Sequence, residues 1–217
     1  MTFNIKNFFF DLIFPVSCIS CGKNSEPLCL KCLNKISPCI DDVSKQTISL
    51  FSYHDPVMRK VLWALKYRNK KILAKPLGRA LYDRLLEELE EQKTFKGFSE
   101  PILIPIPMSK KRLKERGYNQ SELLCKELFL LGSDTFTLDT DVLHKQKETP
   151  RQATIKDRKK RLKNLHNSFS VVHSEKIMNK NILLVDDITT TGATLYEAIK
   201  VLKKAGAHKV IAITIAH

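Results

Sequence analysis

Several features that would assign a protein to a common class are missing from this sequence. No apolar run approaches the roughly 18 residues that a membrane-spanning helix needs, and no repeat or low-complexity segment is present. The first 15 residues are apolar, but they include Asp11 and lack a small-residue cleavage site, so they make a poor signal peptide. We therefore expect a cytoplasmic protein. Residues 3–14 are expected to form a helix that packs on the body of the protein or touches a membrane or partner.

Negative charge is also scarce. The 23 acidic residues are outnumbered by 37 basic ones, which gives a net charge of +14. Residues 109–116 contribute five basic residues and one acidic residue, and residues 143–166 contribute nine and two. These segments are either solvated loops that aid solubility or binding elements for a polyanion, such as nucleic acid, a phosphorylated small molecule or an anionic membrane surface. We favour the polyanion, because the segments accompany a phosphate-type motif at residues 182–194.

Apolar periodicity predicts alternating strands and helices after residue 46. Strands are expected at residues 47–53, 102–107, 138–143, 168–172, 181–186 and 208–215. Helices are expected after Asp55 and at residues 77–92, 119–131 and 194–205. Trp63 is predicted to lie in the apolar stripe of the first helix, where a core position is favoured over a stacking platform, and the stripe of the second helix is predicted to include Leu86. This alternation indicates an α/β fold with a parallel sheet, and we expect a small module in residues 1–46 followed by a domain in residues 47–217.

The strongest motif is the segment at residues 182–194. A buried strand is followed by Asp186, Asp187, one apolar residue, three threonines and Gly192. Its small residues allow a tight turn whose amides and hydroxyls face one point at the start of a helix, where the helix dipole favours an anion. The two carboxylates suit sugar hydroxyls or magnesium instead. A single glycine and the lack of a Gly-Lys pair exclude a dinucleotide fingerprint and a P-loop, so the pattern predicts a ribose 5-phosphate site.

This segment resembles the signature of type I phosphoribosyltransferases, and every position of that signature is filled. The resemblance implies that Asp186 and Asp187 bind the ribose hydroxyls of phosphoribosyl pyrophosphate, which is bound with magnesium. It also implies that the 5-phosphate contacts a loop made of Thr189, Thr190, Thr191, Gly192, Ala193 and Thr194.

A basic segment follows the proline-rich strand at residues 102–107. It resembles the pyrophosphate loop of the same superfamily, in which basic side chains neutralise the leaving pyrophosphate. That role is assigned mainly to Arg112, with Lys110 and Lys111 in support. Arg116 fits this role or a structural role in the turn that follows it.

The cysteines are concentrated near the N-terminus. Cys18 and Cys21 form one CxxC pair, Cys29 and Cys32 form another, and seven residues separate the pairs. Paired thiols at this spacing predict a closed, tetrahedral, structural zinc site, because a reducing compartment disfavours disulfides. No role is predicted for Cys39.

The order of the motifs resembles the competence protein F (ComF) family, amidophosphoribosyltransferase-like proteins linked to bacterial DNA uptake. The two CxxC pairs, PIP with RGYNQ, the element from Thr149 to Asn164, and VDDITTTGAT occur in the family's order over nearly the whole chain. The resemblance implies that residues 143–166 are a hood that closes over the site. Arg158 of this hood would contact pyrophosphate or a nucleic-acid backbone.

Two functions from different classes follow from these patterns. The first is a phosphoribosyltransferase that transfers ribose 5-phosphate to an unknown acceptor, for which no general base is evident. The second is a binding module for single-stranded DNA that works with DNA-uptake proteins, with Tyr118 or Phe169 stacking on bases. A non-catalytic sensor of nucleotide precursors is a third hypothesis.

Overall fold

The computed structural model describes residues 16–40, 44, 46–91, 97–146 and 167–217. The predicted helix at residues 3–14 and residues 147–166 of the predicted hood, including Arg158, lie outside this description. The described helices are α1 (Leu30–Leu33), α2 (Pro56–Tyr67), α3 (Ala74–Glu91), α4 (Lys110–Arg116), α5 (Gln120–Leu131) and α6 (Ala193–Lys204). The described strands are β1 (Thr47–Phe51), β2 (Ile102–Pro105), β3 (Thr137–Leu138), β4 (Leu143–Lys145), β5 (Phe169–Val171), β6 (Asn181–Ile188) and β7 (Lys209–Ala216).

Five of these strands form one parallel sheet in the order β1-β7-β6-β2-β3. The long central strand β6 pairs with β7 on one side and β2 on the other. Its register with β2 pairs Val185 with Pro105, so both strands end at the same edge of the sheet. The predicted parallel α/β fold is confirmed, and this edge collects the segments that follow β6 and β2.

Alternate residues of the central strands pack into two separate cores. Leu183 and Val185 of β6 belong to a core shared with α2, α3 and α5. Ile182 and Leu184 belong to a second core shared with α6 and the β4–β5 pair. Because successive strand residues point to opposite faces, a continuous apolar strand is covered on both sides. The sheet is therefore buried between layers, and its edge remains for binding.

Helix α2 begins at a specific capping residue. Asp55 Oδ1 accepts hydrogen bonds from the amides of Val57 (2.8 Å) and Met58 (3.1 Å), and Pro56 occupies the first turn. Its other carboxylate oxygen accepts from the Ser37 amide at 3.1 Å. Burial raises the pKa of Asp55, but the amide donors outweigh burial and lower it overall. The cap therefore joins the start of α2 to the preceding cysteine-rich segment.

The prediction of a single strand at residues 138–143 is wrong. Thr137 and Leu138 join the main sheet as β3, whereas β4 pairs in antiparallel fashion with β5. Between them, Asp139 Oδ1 accepts hydrogen bonds from the amides of Asp141 (2.8 Å) and Val142 (3.0 Å). This aspartate turn redirects the chain and ends the first strand.

Two apolar residues predicted to be buried are exposed instead. Trp63 is 48% exposed, and Leu86 is also on the surface. In α2 the buried stripe includes Leu62, and in α3 it includes Leu85. Each exposed residue directly follows the buried one in its helix. One position corresponds to a rotation of roughly 100° around the helix axis, which places the side chain outside the buried stripe.

The cysteine-rich segment packs against the same core as α2. Leu28, Leu33 and Ile36 are buried there with three of the cysteines, Cys18, Cys29 and Cys32. A backbone hydrogen bond from Cys39 to Leu50 also joins the segment to β1. The division of the chain at residue 46 stays a prediction. No helix within the described ranges is both long and apolar enough to cross a bilayer.

Candidate functional site

The two acids lie at the carboxyl end of β6, which continues two residues beyond its predicted end. Asp186 Oδ1 accepts a hydrogen bond from the Ser121 hydroxyl and another from the Asp187 amide, both at 2.9 Å. Asp187 Oδ1 lies 3.0 Å from Lys66 Nζ, with the side chains 8% and 18% exposed. Residues from α2 and α5 therefore hold the acid pair in place.

The environment of Asp186 favours its protonated form. Burial and the adjacent Asp187 carboxylate raise the pKa of Asp186 to about 7, although Lys66 and the donors from Asp187 and Ser121 oppose the shift. Because one lysine accompanies two neighbouring carboxylates, the negative charge of the acid pair is only partly neutralised. A cation or hydrogen-bond donors supplied by a ligand would stabilise the ionised form.

The loop after β6 presents main-chain donors at the start of α6. Thr189 donates its amide to Ala216 O at 3.0 Å, which ties the start of the loop to the end of β7. Gly192 has φ of +71°, a left-handed conformation in which a Cβ is strained. Within the described parts of the chain, no acceptor lies within hydrogen-bond reach of the amides of Thr191, Gly192 and Ala193. Unpaired amides at a helix start are suitable donors for a phosphate.

The acids and the loop line one cavity of about 790 Å³. Basic side chains in its wall include Lys66, Arg112, Arg116 and Lys145. The structure thus brings together ten of the sequence-predicted ligand residues with two basic ones, Lys66 and Lys145, that were not assigned a role. The predicted residues in the wall are Asp186, Asp187, Thr189, Thr190, Thr191, Gly192, Ala193, Thr194, Arg112 and Arg116.

Two of the described basic residues that were predicted as ligands are not in the cavity wall. The segment predicted as a pyrophosphate loop is instead helix α4, built from residues with high helix propensity and ended by Gly117 with φ of +79°. Successive helix residues diverge by about 100°, so adjacent side chains cannot all face one ligand. Lys110 lines a neighbouring depression of about 170 Å³, and Lys111 lines neither space. Arg158 lies outside the described residues.

Arg116 has a defined position in the cavity wall. Its Nη1 donates to Gln120 Oε1 at 2.7 Å, and its guanidinium lies 5.0 Å from the centroid of the Tyr67 ring. Two residues later, the Tyr118 hydroxyl donates to the carbonyl of Leu65, which ties this turn to α2. The Arg116 side chain therefore lies against α2, the helix whose Lys66 contacts Asp187, rather than extending into solvent.

Some site residues were missed by sequence reasoning, and two candidates were wrong. Lys66 and Ser121 hold the acids, but neither was assigned to the site from the sequence. Tyr118 and Phe169, considered for stacking on bases, are both buried. Tyr118 lines the cavity but is only 7% exposed, and Phe169 is 4% exposed, so neither ring offers an open platform for a base.

The four predicted zinc ligands converge in the structure. The sulfur atoms of Cys18, Cys21, Cys29 and Cys32 all lie within 4.8 Å of one another, and Cys21 and Cys29 are 3.8 Å apart. A tetrahedral zinc site with Zn–S bonds of about 2.3 Å separates its sulfurs by about 3.8 Å. The donor set and its spacing therefore fit zinc.

Hydrogen bonds and burial shift the pKa values of Cys18 and Cys29 in opposite directions. Burial raises the pKa of Cys18, but the amides of Cys21, Cys29 and Ser20 outweigh it and lower the pKa to about 6. The Cys32 amide lowers the pKa of Cys29, but burial and the neighbouring thiols outweigh it and raise the pKa to about 11. Four thiolates this close repel one another, and a dication would remove that repulsion.

Comparison with known proteins finds sequence similarity to a domain family and to named relatives. The model of the phosphoribosyl transferase domain family matches residues 127–217, which include the acids and the threonine loop. Competence protein F of Haemophilus influenzae is 28% identical over 89% of this chain and 81% of its own. This chain is similar to competence protein F over most of its length. The predicted family resemblance is confirmed.

One further relative is similar in sequence over most of its length, whereas one solved structure is only weakly similar. The DNA utilization protein YhgH of Escherichia coli O157:H7 is 29% identical over 88% of this chain and 79% of its own. Among solved structures, glutamine phosphoribosylpyrophosphate amidotransferase from B. subtilis has a TM-score of 0.40 and 18% identity, covering 64% of this chain and 25% of that chain. The structural similarity is too low to carry an argument.

Proposed function

We propose that this protein binds phosphoribosyl pyrophosphate with magnesium and transfers its ribose 5-phosphate group to an acceptor. The observation that carries the proposal is the placement of two carboxylates, a loop of unpaired amides and two arginines around one cavity. Carboxylates accept from sugar hydroxyls, amides donate to a phosphate, and arginines pair with a pyrophosphate. These three groups occur together in phosphoribosyl pyrophosphate.

Each part of the ligand has a matching element in the wall. Asp186 and Asp187 would accept from the two ribose hydroxyls, and the amides from Thr191 to Ala193 would donate to the 5-phosphate. Arg112 and Arg116 would then contact the pyrophosphate. Magnesium would supply charge neutralisation to the pyrophosphate, and two carboxylates together with phosphate oxygens fit its oxygen-only preference.

The transfer requires stabilisation of charge more than proton chemistry. The bond from C1 of the ribose to the pyrophosphate oxygen breaks, and its electron pair leaves with the pyrophosphate. The acceptor's nucleophilic atom forms the new bond to C1 and releases its proton to water. Arg112 and Arg116 would stabilise the leaving charge, and the acids would stabilise the positive sugar.

The ion pair between Lys66 and Asp187 would change when the ligand binds. Asp187 can accept from a hydroxyl only where a lone pair is available, and Lys66 already occupies one side of Oδ1 at 3.0 Å. Lys66 would remain as a positive charge beside the acids, or turn to a phosphate oxygen. Either arrangement keeps the buried carboxylate compensated.

Calorimetry of phosphoribosyl pyrophosphate binding, with and without magnesium, tests the proposal. We expect saturable binding that magnesium strengthens, and its loss in Asp186→Asn/Asp187→Asn. The control Asp83→Asn/Glu87→Gln changes the net charge equally on the exposed face of α3 and should bind as the wild type does. Equal binding by the acid-pair variant would refute the assignment.

Turnover separates the enzyme from a sensor. Pyrophosphate release would be measured with a panel of bases and amines as acceptors. Release that depends on one acceptor supports transfer, whereas tight binding without release with any acceptor supports a sensor of nucleotide precursors.

We further propose that the cysteine cluster binds structural zinc.

The names of the relatives indicate a biological setting. Because they are a competence protein and a DNA utilization protein, we propose that this chain acts in DNA uptake together with proteins of that machinery. Its net charge of +14 favours a second candidate, direct binding of single-stranded DNA. Salt-dependent anisotropy of a labelled oligonucleotide tests it. A steep loss of affinity with salt, combined with no binding of phosphoribosyl pyrophosphate, would favour the second candidate.

A further inference from the structure

One cation of α2 occupies an acid that the proposed ligand needs. Lys66 Nζ lies 3.0 Å from Asp187 Oδ1, and both side chains are largely buried. Both residues line the cavity at the edge of the sheet. Because Asp187 is assigned to a ribose hydroxyl, a sugar must share or displace the contact with Lys66 before it can bind.

This ion pair is costly to break unless Lys66 receives another partner. A largely buried ammonium group has little access to water, so a lysine that loses its carboxylate is left with an uncompensated charge. A hydroxyl is neutral and does not replace the carboxylate. A sugar that offers hydroxyls alone therefore competes with Lys66 for Asp187, whereas a ligand with a further anionic group can supply Lys66 with a new partner.

The position of Arg116 indicates where that new partner would lie. The Arg116 guanidinium, assigned to the pyrophosphate in the proposed function, is 5.0 Å from the centroid of the Tyr67 ring. Tyr67 directly follows Lys66 on α2, and the bond from Arg116 to Gln120 fixes the guanidinium beside this helix. The pyrophosphate is therefore expected next to Lys66, whose flexible four-carbon stem allows the ammonium group to turn from an acid to an adjacent phosphate.

We propose that Lys66 makes the site selective for ligands that carry pyrophosphate: it holds Asp187 in the unliganded protein and moves to the pyrophosphate when phosphoribosyl pyrophosphate binds. This inference rests on the proposed function. Ribose 5-phosphate has the same hydroxyls and the same 5-phosphate but no pyrophosphate, so it breaks the ion pair without giving Lys66 a partner. Lys66 therefore lowers the affinity for ribose 5-phosphate and raises the affinity for phosphoribosyl pyrophosphate.

The same exchange of partners assists the release of product. The bond from C1 to the pyrophosphate oxygen breaks, and the pyrophosphate departs with the electron pair, so Lys66 loses its second partner. Its return to Asp187 restores the ion pair and competes with the ribose hydroxyls of the product, whichever acceptor has been attached. Lys66 stays protonated throughout, so its exchange needs no further reactant.

Calorimetry with two ligands tests the selection. Phosphoribosyl pyrophosphate and ribose 5-phosphate would each be titrated, with magnesium, into the wild type and into Lys66→Met, which keeps an unbranched stem but removes the charge. We expect phosphoribosyl pyrophosphate to bind about tenfold more weakly to the variant, a loss typical of one charge-assisted hydrogen bond. Ribose 5-phosphate should bind several-fold more tightly, because no ion pair has to be broken.

Opposite changes for the two ligands distinguish selection from a structural role, which would weaken both. Weaker binding of both ligands to Lys66→Met, or an unchanged ratio of the two Kd values, would overturn the inference. Lys60→Met removes an exposed lysine from the same helix, outside the cavity wall, and should leave both affinities unchanged. If Lys66→Met is too unstable to titrate, Lys66→Gln removes the charge but keeps a donor to Asp187, and should give the same opposite changes.

The failure of this inference and the failure of the proposed function give different results. If the wild type binds phosphoribosyl pyrophosphate but the Lys66 variants change the affinities for both ligands alike, only the selection by Lys66 is overturned. If the wild type binds ribose 5-phosphate but not phosphoribosyl pyrophosphate, or binds neither, the proposed function fails and the role of Lys66 fails with it.

Discussion

The cysteine cluster and the cavity at the edge of the sheet are assembled in different ways. The cluster draws its four sulfurs from residues 18–32, within one short stretch of chain. The cavity instead joins Lys66, Arg116 and Ser121 to the acids that follow β6. The spacing of a local motif is visible in the sequence, whereas contacts between distant segments depend on the whole fold. The following experiments probe this difference.

The largest effect is expected from breaking the cluster. Cys29→Ser removes one of four ligands, so a zinc content near one per chain in the wild type should fall to almost none. Because the segment shares the core with α2, we expect the unfolding Tm to fall by about 10 °C or more, at about 2–4 °C per kcal/mol. Elemental analysis and thermal denaturation measure both changes. Cys39→Ser, outside the cluster, should keep the metal, and a metal-free wild type would contradict the prediction.

Breaking a long-range contact of the cavity should have the next largest effect. Lys66→Met leaves the buried Asp187 carboxylate without its ion-pair partner, at a cost of about 2–4 kcal/mol of unfolding free energy. Chemical denaturation measures the loss. Lys66→Met/Asp187→Asn should recover part of it, because no unpaired charge remains. If the losses in the double variant are additive, the two side chains are not coupled.

The acid pair should also give a pH-dependent stability. The pKa of Asp186 is about 7 in the folded protein and 3.8 as its ordinary value, so the folded state binds the extra proton between these pH values. Unfolding free energy should therefore fall as pH rises from 3.8 to about 7, by at most about 1.4 kcal/mol per pH unit from this group. Denaturation of the wild type and Asp186→Asn over this window measures the difference. Identical slopes would contradict a raised pKa.

The smallest effect is expected in the loop. Gly192→Ala introduces a Cβ at φ of +71° and should cost about 1–2 kcal/mol of stability. Gly97→Ala imposes similar strain at φ of +70°, where nothing lies within 4 Å of the added Cβ, and serves as the control. Only Gly192→Ala should weaken binding of phosphoribosyl pyrophosphate, as measured by calorimetry. Equal affinity in the two variants would separate the glycine from ligand binding.

Local signals predicted the framework well. Asp55 followed by proline marked the start of α2, and an unbroken apolar run before Asp186 marked the central strand. Both signals depend on residues adjacent in sequence, so they could be interpreted without knowledge of the fold. The strand register and the partner of each acid could not be obtained in this way.

The wrong or missing predictions concern features that depend on how distant parts of the chain pack together. Trp63 differs from the buried residues of its helix by one position, and an apolar pattern does not distinguish the edge of a stripe from its centre. The contact of Lys66 with the acids could not be predicted from neighbouring residues, because its partner is 121 residues away in the sequence. The basic segment after β2 was interpreted from the family pattern as a loop, although its own residues favour a helix.

The carboxylate of Asp55 links the helix that carries cavity residues to the segment that follows the cysteine cluster. One oxygen caps α2, which carries Trp63, Lys66 and Tyr67, and the other holds Ser37 beside the cysteine-rich segment. The helix cannot shift at its start without disturbing that bond. Removing metal from the cluster with a chelator should therefore also alter affinity at the sheet edge, and ligand binding should in turn slow the loss of metal.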